Sequence, residues 1–182
     1  MVHNEEKIEL DKMAINRIKK ELAMIKNDKH INIEVEICKD ADGFEDIGRW
    51  IVTFVGSPDT PFQNYKLKGE IIFPKRYPIE PFSFRFLTKV WHPNIYPNGK
   101  VCLSTLESSD DPVISDYFSN CSWTPVNTVR TVCVSINLLL REPNIESPAN
   151  VDASIQYRDD IDAFNKKALK YLEGSAEKIN KN

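Results

Sequence analysis

Apolar positions recur at helical spacing near the start of the chain. Ile8, Ile15, Ile18, Leu22 and Ile25 lie sevens, threes and fours apart, so they share one face of a helix expected over 5–26. From residue 31 the period changes. Ile31, Ile33, Val35 and Ile37 alternate with polar residues, the pattern of a strand with one buried face. Trp50 to Val55, Leu67 to Phe73 and Phe82 to Leu87 read as three further strands. Turn-forming clusters separate them: Asp40 to Gly43, Gly56 to Pro61 and Pro74 to Pro81. Connections this short favour antiparallel neighbours, which predicts a four-stranded meander. Residues 88–124 show no clear period. Thr124-Pro125 then reads as an N-cap followed by proline at the first helical position. It opens a largely buried helix carrying Val129, Val132, Cys133, Ile136, Leu139 and Leu140, which Glu142-Pro143 stops. A short helix near 151–157 and a last one near 160–173 follow, with Ile161, Phe164, Ala168 and Leu172 as the final apolar stripe. Gly174 serves as its C-cap, and the last eight residues are expected to fray. The pattern as a whole is α+β: an N-terminal helix, an antiparallel meander, then C-terminal helices, with no internal repeat and no dividing linker.

The aperiodic stretch is too long for a bare connection, and such stretches are usually functional or disordered. It contains His92-Pro-Asn-Ile-Tyr-Pro-Asn-Gly-Lys-Val-Cys102. Pro93, Pro97 and the Asn98-Gly99 pair argue against a regular element through 92–99, and Asn98-Gly99 supplies the positive-φ tolerance of a tight turn. Cys102 thus falls just beyond a turn, where a thiol can be reached. Cys133 differs: it lies inside a hydrophobic periodic run and reads as core.

Composition changes the picture only by exclusion. The 182 residues suit one domain with a real core, and 41% hydrophobic with 28% charged residues is ordinary for a globular protein. A net charge of −3 gives no general positive field for nucleic acid. The polar N-terminus lacks the apolar core of a secretory signal, and no run approaches the length of a membrane span, so no direct membrane insertion is expected. Cys38, Cys102, Cys121 and Cys133 form no Cys-x-x-Cys pair, and the histidines are scattered, so no metal site is expected. All four cysteines are read as reduced thiols in the cytosol or nucleus. Lys12, Arg17, Lys19, Lys20 and Lys26 line the polar side of the first helix. They are either a solvated face or a docking surface for an acidic partner.

A cysteine nucleophile ordinarily needs a base or a lowered pKa. His92, beside a proline and distant in sequence from Cys102, reads as a structural hydrogen-bonder, which leaves a Cys/His hydrolase weakly supported. Glycine-rich phosphate loops are missing from the sequence. A thiol without a dedicated base suits thioester exchange, because the attacked acyl group is already activated. Later transfer to an amine needs positioning, an oxyanion donor and help with lysine desolvation. Asn94 is either that donor or a brace of its own turn, and the two roles are compatible.

These residues resemble the ubiquitin-conjugating enzymes. The triplet His92-Pro93-Asn94, Gly99 and Cys102 is similar to that family's active-site signature, at its spacing. Thr60-Pro61-Phe62, Phe73-Pro74, Tyr77-Pro78, Pro81 and Trp123-Thr124-Pro125 match further family markers in order, over about residues 8–173. The resemblance implies the family fold, a catalytic domain over 5–173 and a short tail over 174–182. It implies that Cys102 accepts ubiquitin as a thioester from the activating enzyme and passes it to lysine amines of protein substrates, with Asn94 supporting the oxyanion or the loop. Tyr96, Ser147, Asp110 and Asp111 would gate or assist the incoming lysine. Arg17, Ile79, Glu80, Trp123, Pro125 and Val126 would form the surface for a RING-type ligase and the activating enzyme, which turns the basic helical face into a docking surface. No cofactor is implied, since ATP is used upstream by the activating enzyme.

Three departures refine the expectation. The Cys102-to-Trp123 interval exceeds the minimal family pattern and carries Glu107-Ser-Ser-Asp-Asp-Pro112, which resembles an acidic-loop subclass that builds chains for proteasomal degradation with cullin–RING or endoplasmic-reticulum ligases. The short mixed-charge tail does not match the long acidic tail of the cullin-associated members. Ser147 stands where many members have an aspartate, and a serine cannot do its acid/base work at neutral pH. Asp110 or Asp111 would substitute electrostatically. Lys100 stands where the subclass commonly has an acidic residue, and it either favours the Cys102 thiolate or faces solvent. The expected location is cytoplasmic or nuclear, or the endoplasmic-reticulum surface through a partner. An inactive presenting module and conjugation of another ubiquitin-like modifier are the rival readings.

Overall fold

Eleven consecutive residues, Glu45–Val55, form the central scaffold strand β2, with β1 (Ile33–Lys39) and β3 (Tyr65–Ile72) antiparallel on either side. The computed structural model describes residues 9–28, 31–106 and 123–179. β4 (Ser83–Phe86) pairs antiparallel with β3 and completes the expected meander in the order β1-β2-β3-β4. Register explains the alternation. Trp50 faces Ile71 and Ile37, Val52 faces Gly69 and Val35, and Phe54 faces Leu67 and Ile33, so one set of apolar side chains shares a face. A side chain at Gly69 would strike the Phe84 ring at 2.3 Å, which is why that position carries none.

Helices cover the apolar face. α1 (Lys12–Asn27) buries Ala14, Ile18, Glu21 and Ile25, while Ile15 and Leu22 are only half-buried. It begins later than the expected 5–26, and Ile8 lies outside the described residues. α2 (Val129–Arg141) buries Val129, Val132, Cys133, Ile136 and Leu140. Its N-cap is Thr128, not Thr124. The Thr128 hydroxyl accepts from Thr131 N–H while the Thr131 hydroxyl accepts from Thr128 N–H, a reciprocal cap. Thr124 instead closes a turn through Asn127 N–H, so Pro125 sits in a turn ahead of the helix. α3 (Val151–Asp159) and α4 (Ile161–Glu173) follow, capped by Asn150 and Asp160.

The frayed end expected after Gly174 is corrected as far as Ile179. β5 (Glu177–Lys178) pairs with Tyr65 and Lys66 of β3. Ser175 Oγ accepts from Lys89 N–H at 3.0 Å, and Ile179 N–H donates to Asn64 C=O at 2.7 Å. The segment covers a stretch of β3 edge that would otherwise expose unpaired backbone groups.

Aromatic rings carry the core from the sheet to the loops. Trp50 packs edge-on against Phe73 at 4.8 Å, Phe73 against Tyr77 at 4.9 Å, and Phe82 edge-on against Trp123 at 5.6 Å. Among the described residues no helix is long and apolar enough to cross a membrane.

Candidate active site

Tyr96 to Gly99 make the turn that delivers Cys102. Gly99 N–H donates to Tyr96 C=O at 2.8 Å, and Tyr96 N–H returns to Lys100 C=O at 2.9 Å. Asn98 Oδ1 accepts from Lys100 N–H at 3.0 Å. Gly99 has φ +88°, and a Cβ there would come within 2.1 Å of Phe86 C=O, so only glycine fits. Beyond the turn Ile95 bridges Val101, and Cys102 follows, half-buried, with its N–H donating to Asn94 C=O at 2.9 Å. The thiol therefore sits at a fixed point of a hydrogen-bonded loop. Lys100 is exposed on that loop, as is Tyr96.

Asn94 is buried, and its side chain is spent on the chain opposite. Nδ2 donates to Asn144 C=O at 2.7 Å, and Oδ1 accepts from Asn144 N–H at 2.8 Å. This two-way bond braces the cysteine loop against the 142–150 segment. Asn150 N–H adds a bond to Pro93 C=O at 2.8 Å. The segment 142–150 is thus clasped to the cysteine loop at both ends. Ser147 lies between the clasps and is exposed. Asp110 and Asp111 lie outside the described residues.

His92 cannot serve as a base. It is wholly buried, with Asn94 N–H donating to Nδ1 at 3.0 Å and Nε2 against Leu139 C=O at 3.0 Å, which makes Nε2 the protonated nitrogen. Burial lowers its pKa from the ordinary value to about 4, so it stays neutral. His92, the histidine nearest Cys102 in sequence, is thus removed from a Cys/His hydrolase reading. Cys133 is buried and its thiol is pushed well above the ordinary range by burial, with the Glu21 carboxylate adding to the effect. Among the described residues no group of His, Cys, Asp and Glu is arranged to hold a metal ion.

The residues expected on a docking surface do converge, but with different parts. Ile79 is 50% and Val126 84% exposed, and Pro125 is exposed beside it. Trp123 is buried instead, its Nε1–H donating to Pro78 C=O at 2.8 Å, so it staples the 77–80 loop to the 123–127 turn. Glu80 pairs with Arg76 at 3.4 Å. Arg17 is half-buried, pairing with Glu21 and donating from Nη2 to Asn127 C=O at 3.0 Å. Lys12, Lys19, Lys20 and Lys26 remain exposed on α1.

Glu21, which no sequence motif singles out, organises this region. Its buried carboxylate accepts from Arg17, from Tyr77 O–H at 2.7 Å and from Val129 N–H at 2.7 Å, the first residue of α2. A carboxylate at a helix N-terminus is favoured by the helix dipole. Burial, with the Glu21 charge behind it, pushes the Tyr77 phenol well above its ordinary range and keeps it a hydrogen-bond donor. A signal was available: Ala14, Ile18, Glu21 and Ile25 fall at fours and threes, so a carboxylate occupies the buried stripe.

The family model described as "Ubiquitin-conjugating enzyme" matches residues 17–172. Among similar proteins, "Ubiquitin-conjugating enzyme E2 13" of Arabidopsis thaliana is 38% identical over 150 residues, covering 78% of this chain and 90% of that protein. "Ubiquitin-conjugating enzyme E2 7" of Triticum aestivum is 39% identical over 140 residues, covering 75% and 83%. "Ubiquitin-conjugating enzyme E2 14" of Arabidopsis thaliana is 36% identical over 152 residues, covering 79% and 91%.

Proposed function

The chain belongs to the ubiquitin-conjugating enzymes, and on that premise we propose that Cys102 is the thiol that carries ubiquitin. The Cys102 thiolate attacks the thioester carbonyl of ubiquitin on the activating enzyme. A new C–S bond forms, the old one breaks, and the activating enzyme's thiolate leaves. A neutral lysine amine then attacks the same carbonyl. The C–N bond forms, the C–S bond to Cys102 breaks, and the amine loses its proton. The observation that carries the reading is the position of Cys102, half-buried at the end of a loop that Gly99, Asn94 and Asn150 hold rigid. A fixed nucleophile beside a fixed acyl group supplies the positioning this transfer needs.

A RING-type ligase would meet Ile79, Pro125 and Val126, with Arg17, Glu80 and Trp123 holding those loops in place, and the exposed lysines of α1 would serve the activating enzyme. Exposure of Ile79 and Val126, on two loops that Trp123 ties together, supports this surface. The acidic run Glu107 to Pro112 in the sequence supports the chain-building subclass, with Asp110 and Asp111 supplying the negative charge that Ser147 lacks and degradation by the proteasome as the outcome. The protein would act in the cytoplasm or nucleus, or at the endoplasmic-reticulum surface when a partner recruits it. It would need no cofactor of its own, since ATP is consumed upstream.

Incubation with activating enzyme, ATP and ubiquitin is expected to give an adduct that reducing agent removes. No adduct with the wild type, or one that persists in Cys102→Ala, would defeat the reading. A panel of ubiquitin-like modifiers in the same assay separates ubiquitin from its relatives. Replacing Asp110 and Asp111 with alanine is expected to slow chain elongation more than charging, and equal loss in both steps would count against the acidic run.

A further inference from the structure

A cleft of about 860 Å³ opens between the 85–99 segment and α4. Its lining includes Arg85, Lys89, Lys167 and Lys170 and carries no carboxylate. The chain as a whole has 24 basic against 27 acidic residues, so this concentration of positive charge runs against the balance of the molecule. Arg85 is already bonded to Glu70 at 2.8 Å, which leaves the three lysines as the charge the cleft presents. Lys167 and Lys170 are one helical turn apart on α4 and point to one side. Lys167 Nζ lies 3.4 Å from the centre of the Trp91 ring, a cation–π contact that holds its stem in place. The walls are tied together as well, by Lys89 N–H to Ser175 Oγ at 3.0 Å and by Asn150 N–H to Pro93 C=O at 2.8 Å. The cleft therefore exists before anything enters it.

We propose that this cleft receives an acidic, carboxylate-rich segment of the protein substrate and so brings the neighbouring acceptor lysine to Cys102. The assignment to a substrate rests on Cys102 as acyl carrier; the capture of an acidic peptide does not. Lysines set apart as single point charges suit separate carboxylates better than a phosphate, for which the forked guanidinium is the better match. Nucleic acid fits less well. Trp91 is 7% exposed, covered by Lys167, packed against Tyr171 at 5.3 Å and bonded through Nε1–H to Gln156 at 2.9 Å, so it offers no open face for base stacking. Tyr96, Pro97, Asn98 and Gly99, the turn that leads into Cys102, also line the cleft, so a chain lying in it touches the loop that carries the thiol.

The test is fluorescence anisotropy on the full chain without activating enzyme or ATP, with a labelled peptide whose single lysine is flanked by aspartate and glutamate. The acidic peptide is expected to bind, and its amide counterpart, with asparagine and glutamine, to bind at least about tenfold more weakly. Lys167→Glu with Lys170→Glu is expected to remove binding of the acidic peptide. Lys170→Ala, which leaves the Lys167 contact with Trp91 intact, is expected to weaken it about threefold. Equal binding of the two peptides, or binding indifferent to both lysine variants, overturns the proposal. So does a single-stranded oligonucleotide of equal charge that binds more tightly through the same lysines. Cys102→Ala is expected to bind like the wild type. A wild-type chain that charges but does not bind the acidic peptide therefore removes the cleft alone, and one that binds but does not charge removes the Cys102 reading alone. With charged protein, ubiquitin is expected to pass faster to the acidic peptide than to the amide one, and equal rates overturn the substrate role.

Discussion

Replacing Asn94 with alanine would strip the Asn144 N–H and C=O of their side-chain partners and leave the 142–150 segment held to the cysteine loop by Asn150 alone. Because Asn144 is exposed, water can reach the abandoned groups, and the expected cost is about 1–2 kcal/mol rather than the full penalty of a buried orphan. A urea titration checks this. A brace predicts that stability and transfer rate fall together, whereas an oxyanion donor alone predicts a slower rate at unchanged stability. His92 makes a separate prediction. Its native pKa is lowered to about 4 from 6.5, so between those values the unfolded chain holds a proton that the native state refuses. The stabilisation is fully present above pH 6.5 and is lost as pH falls through 4, a change on the order of 3 kcal/mol. Urea midpoints measured from pH 7 to 4 should show a steeper decline for the wild type than for His92→Gln, and parallel curves would refute the assignment. The turn ahead of Cys102 is legible in the residues themselves, since Asn98-Gly99 calls for a positive φ. The choice of partner for Asn94 is not, because Asn144 is fifty positions away.

At the scale of elements, Glu21 couples three pieces of chain that the sequence leaves unrelated. Glu21→Gln removes the charge from Arg17, Tyr77 and the α2 N-terminus together, and about 2–3 kcal/mol of stability is expected to go with it. The variant should also weaken ligase binding without touching the ligase, since the 77–80 and 123–127 loops lose a shared anchor. Stability and ligase affinity measured on the same preparation check both halves, and a stable variant with wild-type stability would refute the coupling. The strands and helices were readable because their periods are local: Ile33, Val35 and Ile37 face one way whatever they meet. Thr124-Pro125 misled for a local reason too. The pair has the chemistry of a helix start, but Thr128 and Thr131 form the reciprocal cap and win the position. β5 escaped notice because a strand of two residues exists only through its pairing with β3.

For the whole molecule, the sheet and helices hold one loop still. β2 and β3 orient β4, β4 abuts the turn through the Arg85–Lys100 bridge, and the turn ends at Cys102. The expected α+β architecture, with an N-terminal helix, a meander and C-terminal helices, is the one observed. A thiol so placed is the proposed carrier of ubiquitin, and the Cys102→Ser variant tests that role most directly. With activating enzyme, ATP and ubiquitin, this variant is expected to form an oxyester adduct that withstands reducing agent, while the wild-type adduct is cleaved. An adduct on Cys102→Ser that reducing agent still removes would place the ubiquitin on another cysteine and contradict it.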